Sequence, residues 1–293
     1  MDKYSIDDFS KITGLNKILI RTWENRYSFV NPHRTSTNIR YYDDSMILKA
    51  LRYRALVDAG FKMSILTKLS SKQIDILIND ELNNKDNTNK HSIYISKIIE
   101  SSISFNQLLF HHTYEKCKKN IGIIACYQHV ILPALNRIGI LWMNDEVSPS
   151  QEHFLSELIR TKIYKEIEKN GYKKLPKENW VLFLPKNELH DISLLFAYLI
   201  LRMKGHNIVY LGQNLPHSLL LSLKDKKKID NILFSIVSNA SKLDLREITN
   251  FLETHFSESN IHAIINENLI TEEHFQKLSI ISSIDKFINL ITK

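Results

Sequence analysis

The stretch Thr13–Tyr27, TGLNKILIRTWENRY, decides how the N-terminal part of this chain folds. Gly14 punctuates it, and Asn16 is a plausible N-cap for the helix that follows. Along that helix Ile20, Trp23 and Tyr27 fall at i, i+3 and i+7 and form an apolar side. Lys17, Arg21 and Asn25 lie on another face, with Ile18 and Thr22 beside them. A short helix with a buried side and a basic side is what reading the major groove of DNA requires. Upstream, Tyr4-Ser5-Ile6 leads into a second helical pattern over Asp7–Ile12, which completes a helix–turn–helix. Downstream, Pro32–Tyr42 reads PHRTSTNIRYY. Turn residues with an arginine at each end suit a β-hairpin wing laid on phosphates. The candidate DNA contacts are Lys17, Arg21, Thr22, Arg34, Arg40 and Tyr41, while Trp23 orients the helix from the core.

Charge agrees with this reading. The 293-residue chain carries a net charge of +7, and the excess is uneven. Residues 1–75 hold 13 Lys/Arg against 8 Asp/Glu, whereas the remaining 218 residues hold 26 against 24. A basic N-terminal quarter on a near-neutral body implies a nucleic-acid reader attached to something else. The composition, 43% hydrophobic and 24% charged, excludes a wholly disordered or fibrous chain. No apolar run approaches the roughly 18 to 20 residues that span a bilayer. The start, MDKYSIDDFSKITG, is acidic and lacks the apolar core of a signal peptide, so a cytoplasmic protein with no membrane partner is expected. Cys117 and Cys126 match no common disulfide or metal spacing and read as buried thiols.

Working outward, residues 1–78 form the reader, and 79–91, NDELNNKDNTNKH, read as a linker. Residues 92–171 look all-helical, with apolar positions such as Ile98/Ile99, Leu108/Leu109, Val130/Ile131 and Leu155/Leu158/Ile159 recurring near a 3.6 period. Residues 172–293 alternate β-rich runs with helical patterns. The runs are Trp180–Leu184, Ile208–Leu211, Ile232–Val237, Ile261–Ile265 and Ser279–Ile281; the helical stretches are 191–204, 216–227, 242–256, 271–277 and 284–292. Such alternation predicts a doubly wound, flavodoxin-like parallel sheet. The fold class is therefore multidomain: an N-terminal winged helix-turn-helix, a central all-α bundle and a C-terminal α/β domain. In that domain the loop after the first strand holds Glu188, His190 and Ser193, at the place where doubly wound folds bind ligands. His190 reads either as an exposed loop histidine or as a metal ligand. In the bundle, Trp142 and the pair Glu152-His153 are nine residues apart; as an isolated trio they read as a core tryptophan and two exposed helix residues.

The N-terminal string closely resembles the MerR family of winged helix-turn-helix regulators. The matching residues are Tyr4/Ile6, Thr13-Gly14-Leu15, Ile20-Arg21-Thr22-Trp23-Glu24, Pro32-His33-Arg34 and Arg40-Tyr41-Tyr42, and the likeness covers about residues 3–72. It implies binding to pseudo-palindromic double-stranded operator DNA as a homo-oligomer, a dimer or tetramer, assembled through the C-terminal two-thirds.

The body resembles cobalamin-binding domains of the methionine-synthase type. Glu188, His190 and Ser193 stand for Asp/Glu-x-His-x-x-Gly; Ser235 and Val237 stand for Ser-x-Leu/Val after 41 residues; Ile265-Asn266 stand where Gly-Gly belongs after a further 27. The spacing is kept and two identities are not. A β-branched Ile265 is expected to intrude on the slot for the nucleotide tail. The whole combination also resembles the light-responsive, cobalamin-binding CarH/LitR-like repressors, whose bundle carries Trp-x9-Glu-His. By that resemblance the cofactor is adenosylcobalamin. Trp142 would cap its adenosyl group, Glu152 would bond the ribose, His190 would be the lower cobalt ligand, and His153 the upper ligand after photolysis. The implied function is a transcriptional regulator, a repressor whose assembly and DNA affinity answer to cofactor and light. The alternative is a cobalamin-independent repressor of the same type, whose degenerate body serves oligomerisation or binds a protein antagonist. An enzyme is not expected: there is no room for a barrel-sized substrate domain, no Gly-x-Ser-x-Gly, no phosphate loop and no His-Glu-x-x-His.

Overall fold

A computed structural model describes residues 3–83, 90–142, 149–174, 176–237, 242–265 and 277–291. The chain divides into two compact units, residues 1–158 and 159–293.

The first unit begins with α1 (Ile6–Thr13). Ser5 and Asp8 close a reciprocal capping box, the Asp8 N–H donating to Ser5 Oγ and the Ser5 N–H to the Asp8 carboxylate. The helix stops at Gly14, whose φ of +72° costs a residue without a Cβ little. Helix α2 (Lys17–Tyr27) starts at Asn16, as expected, with Asn16 Oδ1 accepting the Leu19 N–H at 2.7 Å. Ile20, Trp23 and Glu24 are its buried residues. The wing is a short antiparallel hairpin of β1 (His33–Arg34) and β2 (Arg40–Tyr41). Helices α3 (Asp44–Asp58), α4 (Met63–Leu66) and α5 (Ser71–Asn83) follow.

The segment expected to be a linker is partly helix. Residues 79–83 complete α5 with Leu82 buried, and α6 (Lys90–Ile103) opens at Lys90; residues 84–89 lie outside the described residues. The polar composition of 79–91 hid one apolar anchor, Leu82, which continues the stripe of Ile74 and Ile78.

The bundle continues with α7 (Gln107–Ile121), α8 (Ile123–Cys126), a π-helical turn (Tyr127–Ile131), α9 (Leu132–Trp142) and α10 (Pro149–Lys169), whose residues from Ile159 onward belong to the second unit. Pro133 has no N–H and crowds the carbonyl of His129 four residues back, which accounts for the widened turn there. Cys117 and Cys126 are both buried thiols. Reader and bundle pack together: α3 lies against α6, and α1 against α9. Arg52 of α3 spans the first contact, its Nη2 donating to Glu100 Oε1 at 2.5 Å and its Nε to Oε2 at 3.3 Å.

The second unit holds β3 (Asn179–Phe183), α11 (Ile192–Met203), β4 (Asn207–Tyr210), α12 (Leu221–Lys224), β5 (Asn231–Ile236), α13 (Lys242–His255), β6 (Asn260–Ile265), β7 (Leu278–Ile281) and α14 (Ile284–Ile291). The strands are all parallel in the order β4-β3-β5-β6-β7. That is the flavodoxin-like order, with its switch point between β3 and β5. Each strand lies within a residue of the run that marked it. The expected helix over 271–277 falls almost wholly outside the described residues.

One face of the sheet carries Val181, Phe183, Ile232, Phe234, Ile236, Ile261, Ala263 and Ile265 in a core with Leu245, Ile248 and Leu252 of α13. The alternation of side chains along a strand sends Trp180, Ser235 and His262 to the other face. There Trp180 stacks on His262 and meets Phe287 of α14 edge-on.

Candidate functional site

In the α/β unit, the loop leaving β3 is fixed by three neighbours. The Leu184 N–H donates to Gly212 O, Asn187 N–H to Asn214 Oδ1, and Gln213 Nε2 to Leu189 O, at 2.9, 2.9 and 2.7 Å. All three partners belong to the loop after β4. The loop's centre is Glu188, only 3% exposed. Its Oε1 accepts the Leu189 and His190 N–H groups at 2.9 Å each and receives His190 Nδ1 at 2.7 Å. Its Oε2 accepts the Val237 N–H at 2.8 Å. One buried carboxylate thus ties the carboxyl end of β3 to that of β5, across the switch point.

The consequence for His190 is chemical. Nδ1 is committed to a carboxylate, which fixes the ring plane and the tautomer, and the ring itself is half exposed. A metal-ligating histidine held in this way binds through Nε2, and its carboxylate partner raises its basicity. The neighbouring Asp191 pairs with Arg160 of α10 at 2.7 Å, and Ser193 lies in the first turn of α11. Among the described residues no three His, Cys, Asp or Glu side chains cluster as a set of metal ligands.

Ser235, two residues before Val237, is fully buried, and its Oγ has no hydrogen-bond partner among the described residues. Such a hydroxyl is costly without a partner. Tyr210, which ends β4, has a buried hydroxyl in the same condition, and burial pushes its pKa well above the usual phenol range. Both polar atoms lie at the carboxyl end of the sheet on the face shared with α11, where Tyr210 stacks on Tyr198. Ile265 lies on the opposite face, buried against α13. Strand alternation turns its side chain to the face opposite Ser235. Asn266 and the side chain of Trp142 lie outside the described residues.

In the first unit, Trp142 is the last residue of α9, Glu152 lies in the first turn of α10, and His153 follows it. Ser102 Oγ of α6 donates to Gln151 O at 2.9 Å and so anchors that turn. Glu152 accepts the Ser156 hydroxyl through Oε1, and Oε2 lies 3.4 Å from Nδ1 of the exposed His153.

On the reader, Arg21 and Thr22 are exposed on α2. Lys17 pairs with Asp7. Arg34 is braced at the wing tip, its Nη1 donating to Asn38 Oδ1 at 2.8 Å. Arg40 is drawn inward, with Nε 3.6 Å from the buried Glu24 carboxylate, which also accepts the Tyr42 hydroxyl at 2.6 Å. Tyr41 stacks on His33 with Lys3 over its ring. The pairing of β1 with β2 sets His33 opposite Tyr41, and the bridge of Tyr4 to Tyr42 brings Lys3 beside the same ring.

Comparison with known proteins bears on the reader and on the helical bundle. Residues 4–73 match the model of the MerR HTH family regulatory protein, and residues 96–165 match that of the B12 binding domain. The chain thus combines a MerR-type HTH region with a helical region similar to B12 binding domains. Over 216 residues, 73% of this chain and 72% of the relative, it is 23% identical to the HTH-type transcriptional repressor CarH of Myxococcus xanthus. Over 77 residues, 26% of this chain and 32% of the relative, it is 26% identical to the HTH-type transcriptional regulator MlrA of Escherichia coli (strain K12). A solved monomethylamine corrinoid protein of Methanosarcina barkeri aligns with 67% of this chain and 96% of its own length, at a TM-score of 0.49 and 15% identity. Arg21 and Thr22 lie on the exposed face of α2, and Arg34 on the exposed wing. No helix among the described residues is long and apolar enough to cross a membrane.

Proposed function

We propose that this regulator is a repressor, a homo-oligomer whose assembly and affinity for operator DNA are controlled by adenosylcobalamin and light. The observation that carries the reading is the buried Glu188 carboxylate holding Nδ1 of a half-exposed His190 at the switch point of the sheet. When bound, adenosylcobalamin supplies a cobalt–carbon bond that light breaks. The role of this chain is to hold the cofactor. His190 would ligate cobalt through Nε2, with Glu188 as its positioning residue and Val237 contributing the N–H that fixes Glu188. Ser235 Oγ would bond a polar atom of the buried nucleotide tail, with Ser193 beside that path. Trp142 would cover the adenosyl group, Glu152 would accept from the ribose, and His153 would be the second cobalt ligand.

The Ser235 hydroxyl, buried and without a hydrogen-bond partner among the described residues, is the polar atom on that face that a ligand would satisfy. The reading is regulatory rather than enzymatic, and several readers on one oligomer would hold DNA through avidity.

The test is an absorption spectrum. The protein is mixed with adenosylcobalamin in the dark, desalted and illuminated. A retained cobalamin spectrum that changes irreversibly on illumination is expected, with retention lost or weakened in His190→Ala and Trp142→Ala. A colourless protein after desalting would overturn the reading, as would variants that retain the cofactor like the parent.

A further inference from the structure

Helix α2 presents Ile18, Arg21, Thr22 and Asn25 at i, i+3, i+4 and i+7, and all four are exposed. Ile18 is 80% exposed, the largest fraction for any large apolar residue described. A lone exposed apolar side chain means little. The position of this one is more specific. The only acid of α2, Glu24, is turned inward to Tyr42 and Arg40, so the exposed face carries cations and amides but no carboxylate. The Thr22 hydroxyl donates to the Ile18 carbonyl at 2.8 Å. Its hydrogen is thus spent inside the helix, and Thr22 lies one turn from Ile18 on the same face. The result is a small apolar step on a basic face, with Arg21 on the same helix.

On the premise that α2 reads the major groove, as the DNA-binding assignment holds, one base edge there matches an aliphatic side chain. Thymine presents its C5-methyl group, and the other three bases present hydrogen-bonding atoms. We propose that Ile18 reads a thymine methyl group in each half-site, and so sets part of the sequence preference that Arg21 and the wing arginines cannot set through phosphates.

The test begins by selecting preferred sites for the full chain from duplexes with a randomised central segment. Each thymine of the selected site is then replaced by deoxyuridine, which removes only the methyl group. Affinities are measured by fluorescence anisotropy for the parent and for Ile18→Ala. The expected result is one thymine per half-site whose replacement weakens the parent about four-fold, the equivalent of one buried methyl-sized group. At that position Ile18→Ala should bind both duplexes alike. Its salt slope on unrelated DNA should equal that of the parent, because the phosphate contacts are intact. A thymine-to-deoxyuridine ratio that is the same in both proteins at every position would overturn the inference and leave the DNA reading standing. Failure of the parent to bind any duplex of the pool would overturn the DNA reading itself. Since Ile18 is solvent-exposed, Ile18→Ala leaves the core of the reader intact, and an unchanged far-ultraviolet spectrum confirms it.

Discussion

Replacing Glu188 should separate stability from cofactor positioning. Among the described residues its carboxylate receives at least four donors, the N–H groups of Leu189, His190 and Val237 and Nδ1 of His190, at 2.7 to 2.9 Å. A hydrogen bond to a charged group contributes about 1.5–3 kcal/mol, and a full loss of four would exceed the stability of many domains. The donors, however, belong to residues with exposed surface, so water replaces much of what is lost. Glu188→Ala is therefore expected to cost about 2–4 kcal/mol, and Glu188→Gln, which keeps the volume and loses the charge, about 1–2 kcal/mol. At a urea slope of about 1–3 kcal/mol per molar, the alanine variant should unfold about 1–2 M earlier. Removing the partner that orients a metal-bound histidine typically weakens metal affinity about 10–100-fold, and the glutamine variant should show that loss of cobalamin affinity. The decisive comparison is a double-mutant cycle with His190→Ala. Adding Glu188→Gln to His190→Ala should leave the residual cobalamin affinity unchanged while still lowering the urea midpoint. Parental midpoint and parental affinity in Glu188→Gln would refute the reasoning. So would a further, additive loss of affinity in the double variant, which would make the effect structural only.

Four other outcomes follow from the geometry. Arg34→Ala should lower the log–log salt slope of DNA binding by about 1 per reader, measured by titration at several salt concentrations. Tyr42→Phe removes a donor from the buried Glu24 carboxylate and should cost the reader about 1–3 kcal/mol in a denaturant melt. Arg52→Ala breaks the forked contact to Glu100 where α3 meets α6; both groups keep some solvent exposure, so a loss of about 1–2 kcal/mol is expected, together with weaker docking of the reader on the bundle in hydrogen exchange. Burial lowers the His262 pKa to about 4, below its ordinary value of 6.5. The unfolded chain therefore binds the proton first on acidification, so stability is full above pH ~6.5 and falls by up to about 3 kcal/mol as pH drops toward 4. His262→Phe, which keeps a ring against Trp180, should flatten that part of the pH–stability curve.

What could be read in advance followed from local chemistry. The strands of a parallel sheet are buried on both faces and so read as continuous apolar runs, which is why Ile232–Val237 marked β5 (Asn231–Ile236) so closely. The turn at Gly14 and the cap at Asn16 were legible because each has one strong physical reason. Contacts between distant segments carried no such signal. Nothing in the spacing of Glu188 and Val237 announces that the second residue's N–H satisfies the first residue's carboxylate. Nothing in the polar run after Ile78 announces that Leu82 packs, or that Arg52 finds Glu100 and joins reader to bundle in one unit. The ring of asparagines that opens β3, β4, β5 and β6, with Asn207 Nδ2 donating to Asn179 Oδ1 and Asn260 Nδ2 to Asn231 Oδ1, appears only once the strands are in register.

Ile265 shows that a motif position and the face its side chain takes are separate matters. A β-branched residue where a glycine belongs reads as an obstruction, because a motif is a one-dimensional string and each of its positions seems to face the ligand. A strand has two faces. Phe234, Ile236, Ala263 and Ile265 share the side covered by α13, and Ser235, between two of them, points the other way. In register, Ser235 stands opposite Ile264, not Ile265. The side chain on β6 that bears on the Ser235 face is therefore that of Ile264, which is partly buried. If the nucleotide tail is excluded from this protein, Ile264→Gly should restore it and Ile265→Gly should only open a cavity against α13, at about 2–5 kcal/mol of stability. If the tail binds, Ile265→Gly should lower stability and leave cobalamin retention as it was. In both cases the parity of the strand, rather than the motif, decides which substitution opens the Ser235 face.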